Sequence, residues 1–330
     1  MRQRTDLARK RSRPRQKRSP LHCRNVSIEA RLWRLLTRPH STMTETDSRL
    51  LEASLPAVEQ RQLSLAMLGG NRTLTYRAAG DEQAPAVVLL HGIGSSSAGY
   101  RAQLAALAVH HRVIAWDAPG YGQSSPFAIA TPGAKDYAEV LMALLTALGI
   151  SRATVVGSSW GSVIAAMFAA RYASATRALV LSAPNVARGH LSISDRAAAR
   201  DALMRSGAAH SPEARAAVVD ALVAPNAGPQ VRALVAKLRD AVTPTGWEHA
   251  VDMLFSAHTP SVVASVEAPV SVIIGNLDRV APIDEHARPI HEAAPNSTLH
   301  VLDGIGHMPK LEAPEAFNSI VLAAAAAAIG

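Results

Sequence analysis

The run Ala153–Val156 enters Gly157-Ser158-Ser159-Trp160-Gly161 with no residue between, and an Ala-rich helical stretch leaves it at once. A buried strand, a five-residue turn and a helix in that order place the central serine on a sharp bend at the strand's end. Side chains two residues before and after that serine would collide with the turn, so Gly157 and Gly161 read as steric requirements. A helix beginning at Trp160 directs its unpaired N–H groups and positive dipole end toward the serine. A G-x-S-x-G match alone carries little weight in a chain of 330 residues. The strand before it and the helix after it give this one meaning.

The rest of the chain repeats the rhythm. Ala86–Leu90, Arg112–Trp116, Ala178–Leu181, Val270–Ile274 and Thr298–Leu302 are short, continuous apolar runs, as expected of parallel strands buried on both faces. Helical patterns intervene at Ala102–Val109, Ala134–Leu148, Trp160–Tyr172, Ile283–Ala293 and Pro314–Ala328. Arg61–Leu68 and Arg72–Arg77 alternate around Gly69-Gly70-Asn71, which predicts a hairpin. The expected fold is α/β, a mostly parallel eight-stranded sheet with helices on both faces.

Residues 186–265 break the rhythm. They show helical stretches at Ser194–Met204, Ser211–Leu222 and Val231–Ala241, punctuated by Pro225, Pro229, Pro244 and Gly246. This predicts a helical cap inserted between two segments of one core, 43–185 and 266–330. It would emerge at the C-terminal edge of the sheet, where open α/β sheets bind ligands.

The formal charge of +8 has a local origin. Residues 1–42 hold thirteen Lys/Arg against Asp6 and Glu29, and the remaining 21 Lys/Arg and 24 Asp/Glu leave residues 43–330 at −3. The sequence predicts a solvated basic tail at 1–42 and a core that does not bind nucleic acid. The tail lacks the apolar segment of a secretory signal. Three readings stay open for it: a transit peptide, a start set upstream of Met43, or an arm that sticks to RNA or membrane. The single cysteine, Cys23, allows no internal disulfide and fits a reducing, cytoplasmic setting. No run reaches the ~18 apolar residues of a membrane span.

A serine alcohol needs a base to take its proton. Gly304-Ile305-Gly306-His307 follows the run Thr298–Leu302, and Gly275-Asn276-Leu277-Asp278 follows Val270–Ile274. Both loops lie at the edge that presents Ser159, in the order Ser…Asp…His. His307 is the candidate base and Asp278 the acid that fixes its tautomer. Asp303 is a rival acid, poorly placed within the histidine's own approach. The expected oxyanion hole is the backbone N–H of Trp160 and that of Ile93, from His91-Gly92-Ile93-Gly94. His91 itself reads as a structural loop residue. No metal or organic cofactor is expected.

With these pieces in order, residues 60–330 resemble the α/β-hydrolase superfamily. The matching stretches are HGIGSSSAGY (91–100), VIAWDAPGYGQS (113–124), VVGSSWGS (155–162), GNLDRVAP (275–282) and GIGHMPKLEAPEAFN (304–318). The resemblance is greatest to small cap-bearing bacterial enzymes: carboxylesterases, enol-lactonases and C–C bond hydrolases. It implies that Asp117, Gly120, Gly122 and Ser124 form a structural loop and that Glu312 approaches the histidine turn. The C–C hydrolases usually carry asparagine before the nucleophile and Gly-Pro in the oxyanion loop, where this chain has Ser158 and Ser95-Ser96. Iminopeptidases share the Ser159–Ser162 pattern, but their His-Gly-Gly-Pro loop is absent. Dehalogenases and epoxide hydrolases of this fold use aspartate where Ser159 stands. The expected activity is hydrolysis of a small carboxylic ester or lactone, with C–C cleavage, or a non-catalytic ligand-binding role, as alternatives. Arg196, Arg200, Arg205, Arg215, Arg232 and Arg239 in the insertion are candidates to recognise a substrate carboxylate.

Overall fold

A computed structural model describes residues 43–207 and 211–327. Eight strands form one sheet in the order β1 (Val58–Leu65), β2 (Gly70–Ala79), β4 (Arg112–Trp116), β3 (Ala86–Leu90), β5 (Ala153–Ser158), β6 (Thr176–Ser182), β7 (Val270–Gly275), β8 (Ser297–Leu302). β1 and β2 pair antiparallel, as do β2 and β4; β3 to β8 run parallel. Parallel strands need crossovers, and these supply the helices on both faces.

Successive residues of a strand serve opposite faces. On β3 and β5, Val88 and Val155 join one core with α3 (Ala134–Ala147) and α4 (Trp160–Arg171). Val87, Leu89 and Val156 join the other with α2 (Arg101–Leu107) and α12 (Pro314–Ala327). Burial on both faces is why these strands read as unbroken apolar runs. β8 is the exception. Its run Thr298–Leu302 reads as buried on both faces, but it closes the sheet as an edge strand, and Val301 is 43% exposed.

Two other boundaries move. The first hairpin strand spans Val58–Leu65 and not Arg61–Leu68, because Ala66–Leu68 form a single 3₁₀ turn and Gly69 and Gly70 take φ of 77° and 100°. The helix expected over Ile283–Ala293 begins only at α10 (Ala287–Ala293), after a non-helical His286 with φ −125° and ψ −63°. The tail with Cys23, and Ala328, lie outside the described residues.

Between β6 and β7 the described chain is helical: α5 (Ile193–Gly207), α6 (Pro212–Leu222), α7 (Pro229–Leu238), α8 (Pro244–Met253) and α9 (Thr259–Val263). α8 and α9 lie outside the helical stretches named from the sequence. So does α1 (Glu45–Glu52), a helix of only eight residues that Thr44 and Asp47 cap reciprocally. Asp47 also accepts Glu315 N at 2.8 Å, so one carboxylate closes the N-termini of α1 and α12. Among the described residues no helix is long and apolar enough to cross a membrane.

Candidate active site

Ser159 sits between β5 and α4 with φ 53° and ψ −117°, in the left-handed half of backbone space that a side chain rarely occupies. The strain is held by close packing. A Cβ on Gly157 would strike the Gly161 carbonyl, and one on Gly161 would lie 2.5 Å from the carbonyls of Leu90 and His91. The turn is also pinned to β6, since Ser159 N donates to Ser182 O at 2.8 Å.

The loops after β7 and β8 bring the other two residues to it. His307 Nε2 lies 2.9 Å from Ser159 Oγ, and its Nδ1 lies 2.7 Å from Asp278 Oδ2. A carboxylate only accepts, so Nδ1 donates to it and Nε2 is left to accept the serine proton. Asp278 is itself fixed, because Oδ1 accepts the amides of Val280 at 2.9 Å and Ala281 at 2.8 Å. Asp303 faces away, exposed and bonded to Asn276 Nδ2 at 2.6 Å.

Ile93 and Trp160 meet at the same cavity as Ser159 and His307. Trp160 opens α4, where an amide has no carbonyl one turn back to bind. His91 is buried; its Nδ1 bonds Gly92 O at 2.9 Å and its Nε2 accepts Ala118 N at 3.1 Å. That pattern needs a neutral ring, and burial lowers its pKa in the same direction. Asp117 accepts Ser97 N at 2.7 Å and Thr75 Oγ1 at 3.2 Å, while Ser124 Oγ donates to Asp117 O at 2.7 Å. These bonds hold the loop after β4 in place. Burial raises the pKa of Glu312, against the pull of three amides it accepts: Ala224, Gly306 and Met308.

The cavity holds about 250 Å³. Leu203, Val218, Leu238 and Trp247 of the helices between β6 and β7 wall it from above. Trp160 Nε1 donates to Ala250 O at 2.9 Å, tying α8 to the Ser159 turn. Of the six arginines singled out from the sequence, only Arg239 lines this cavity. Arg200 pairs with Asp252 and Glu248, Arg215 with Asp240, and Arg232 with Asp220; Arg196 donates to backbone carbonyls. Arg188, His286 and Lys310 also line it and were not anticipated. Lys310 falls within the matched stretch 304–318 but was given no role there, Arg188 and His286 fall in none, and only the folded chain brings the three together.

The sequence family described as the α/β hydrolase fold matches residues 85–246. An uncharacterized protein of Mycobacterium tuberculosis is 31% identical over 277 residues, 74% of this chain and 76% of that protein. The chain belongs to the α/β-hydrolase superfamily. A 2-hydroxy-6-oxononadienedioate/2-hydroxy-6-oxononatrienedioate hydrolase of Pseudomonas putida is 27% identical to this hydrolase, over 73% of this chain and 87% of that one. The fold of this chain is similar to that of a thermophilic esterase from Thermogutta terrifontis, with a TM-score of 0.73 at 20% identity, covering 82% of this chain and 99% of the esterase.

Proposed function

We propose that this hydrolase is a serine enzyme that cleaves a small carboxylic ester or lactone through an acyl-enzyme. The reading rests on one observation above the rest: Ser159 Oγ, His307 and Asp278 form an unbroken hydrogen-bonded chain, 2.9 Å and 2.7 Å long at its two links. In the first half-reaction His307 Nε2 takes the Ser159 proton as Oγ attacks the carbonyl. The oxyanion is held by the amides of Ile93 and Trp160. Collapse breaks the ester C–O bond, and the departing alkoxide takes the proton from His307. Water then repeats the sequence on the acyl-enzyme, releasing the acid and regenerating the Ser159 hydroxyl.

Residues 186–265 act as the cap of this site, over a core of 43–185 and 266–330. The small apolar cavity favours short acyl and alcohol groups. No carboxylate lines it among the described residues, whereas Arg239 and Arg188 do, neither with an acidic partner. Burial lowers the pKa of both. Two partly desolvated guanidiniums favour a substrate that carries its own carboxylate away from the scissile bond.

The test is hydrolysis of p-nitrophenyl butyrate by wild type and Ser159→Ala. The reading expects turnover in the first and at least a thousandfold loss in the second. The Pseudomonas putida relative, matched over most of its length, favours a second reading, C–C cleavage by the same three residues. Turnover of a dienoate ketone much faster than of the ester would select it.

A further inference from the structure

Lys310 lies three residues beyond His307, in the short helix α11 (Pro309–Glu312), and the mechanism above has no step for it. It is 1% exposed, and Nζ donates to Ser158 Oγ at 2.8 Å. The ring of Tyr100 lies 5.0 Å from Nζ. From α2, Gln103 Nε2 donates to Lys310 O at 3.1 Å and to Asn318 Oδ1 of α12 at 2.9 Å. His91 faces the lysine from the loop after β3, as a neutral ring.

The acids nearby are committed elsewhere. Glu312 takes the amides of Ala224, Gly306 and Met308; Asp117 takes Ser97 N and Thr75 Oγ1; Asp278 takes His307. Among the described residues the Lys310 ammonium has a hydroxyl and an aromatic face, and no anion.

A buried ammonium without an anion destabilises a fold, and methionine would fill the same space without that cost. What the lysine touches is the residue immediately before the nucleophile. Ser158 O in turn packs against Gly92 of the oxyanion loop, 3.4 Å from where a Gly92 Cβ would stand. Lys310 shares the cavity of Ser159 and Trp160, so its charge adds to the positive end of α4.

We propose that Lys310 is a positioning residue for the nucleophile turn: charged and buried beneath Ser158, it fixes that residue and supplies positive charge under the oxyanion pocket. The proposal rests on the serine-hydrolase reading. Burial draws the lysine pKa down to about 7. The charged form, and the activity it supports, is therefore present below about 7 and lost as pH rises through it. Stability moves the other way. The unfolded chain keeps the proton up to the ordinary value of 10.5, so the folded state gains stability as pH rises from about 7 toward 10.5.

The experiment compares wild type, Lys310→Met, Ser158→Ala and the double variant on p-nitrophenyl butyrate from pH 6 to 9.5, with thermal unfolding of each. Lys310→Met should lose kcat about 10- to 100-fold with KM within twofold. Its Tm should be unchanged or higher, and the decline of wild-type activity above pH 7 should vanish. Ser158→Ala should lose a similar factor, and the double variant no more than the larger single loss. A lowered Tm with kcat intact would make Lys310 a packing residue and overturn the proposal. So would a pH profile the same in Lys310→Met as in wild type. Should Lys310→Met fail to fold, Ser158→Ala and the wild-type decline above pH 7 still decide. A wild type that turns over no ester and reacts with no fluorophosphonate would instead sink the hydrolase reading, and this proposal with it.

Discussion

Glu312 accepts the amide of Ala224 at 2.8 Å, so a carboxylate five residues beyond His307 holds the chain just after α6. The same side chain accepts Gly306 N and Met308 N, on either side of His307. His307 N completes the joint by donating to Leu222 O at 2.9 Å. The helical insertion and the His307 turn are thus one packed unit.

Glu312→Ala strands three buried donors, each worth ~1–3 kcal/mol when left unsatisfied. We expect a fall in Tm on the order of 10 °C and a lower kcat, both partly restored by Glu312→Gln. Differential scanning calorimetry beside ester kinetics checks this. A variant with unchanged Tm would remove the joint from the account.

Asp278→Asn keeps the shape of the acid but offers an amide to His307 Nδ1, which favours the wrong tautomer. A loss of kcat of about 10⁴-fold is expected, with little change in KM. Asp303→Asn, which alters only a surface bond to Asn276, should leave kcat as it is. A reversal of the two outcomes would exchange the acids.

Arg239→Ala should discriminate between substrates. On the p-nitrophenyl monoester of a dicarboxylic acid, KM should rise by about tenfold or more; on p-nitrophenyl butyrate it should hardly change. Equal effects on both esters would mean that Arg239 only packs, through its place over the Trp247 ring.

How much of this was legible in the sequence follows from what each feature depends on. Strands buried on both faces announce themselves as apolar runs, and Ala86–Leu90 and Arg112–Trp116 match to the residue. The elbow was legible because Gly157 and Gly161 answer a local steric demand. β8 was misjudged because an edge position is a property of the whole sheet. α1 and α8 are helices of only eight and ten residues, too short for an apolar face to stand out before the Thr44 and Thr243 caps are seen. The places of Lys310, Arg188 and His286 in the cavity could not be read, because each comes to it from a different segment and acquires meaning only from what the fold sets beside it.

Stability should fall with acid between pH 7.5 and 5.5. His91 and His286 have native pKa values lowered chiefly by burial. The unfolded chain therefore binds more protons below the ordinary value of 6.5, and stability present above it is lost as pH falls. The midpoint in urea should drop over that window, with the slope against denaturant constant. A midpoint that rises on acidification would contradict the neutral His91 seen between Gly92 and Ala118.

The most direct test of the central claim is covalent labelling. Wild type and Ser159→Ala would each be treated with a fluorophosphonate at pH 7, digested, and the modified peptide located by mass spectrometry. The account predicts one adduct, on Ser159 in the wild type, and none in Ser159→Ala. Folded wild type that stays unlabelled, or an adduct that persists at another serine after Ser159→Ala, would contradict it.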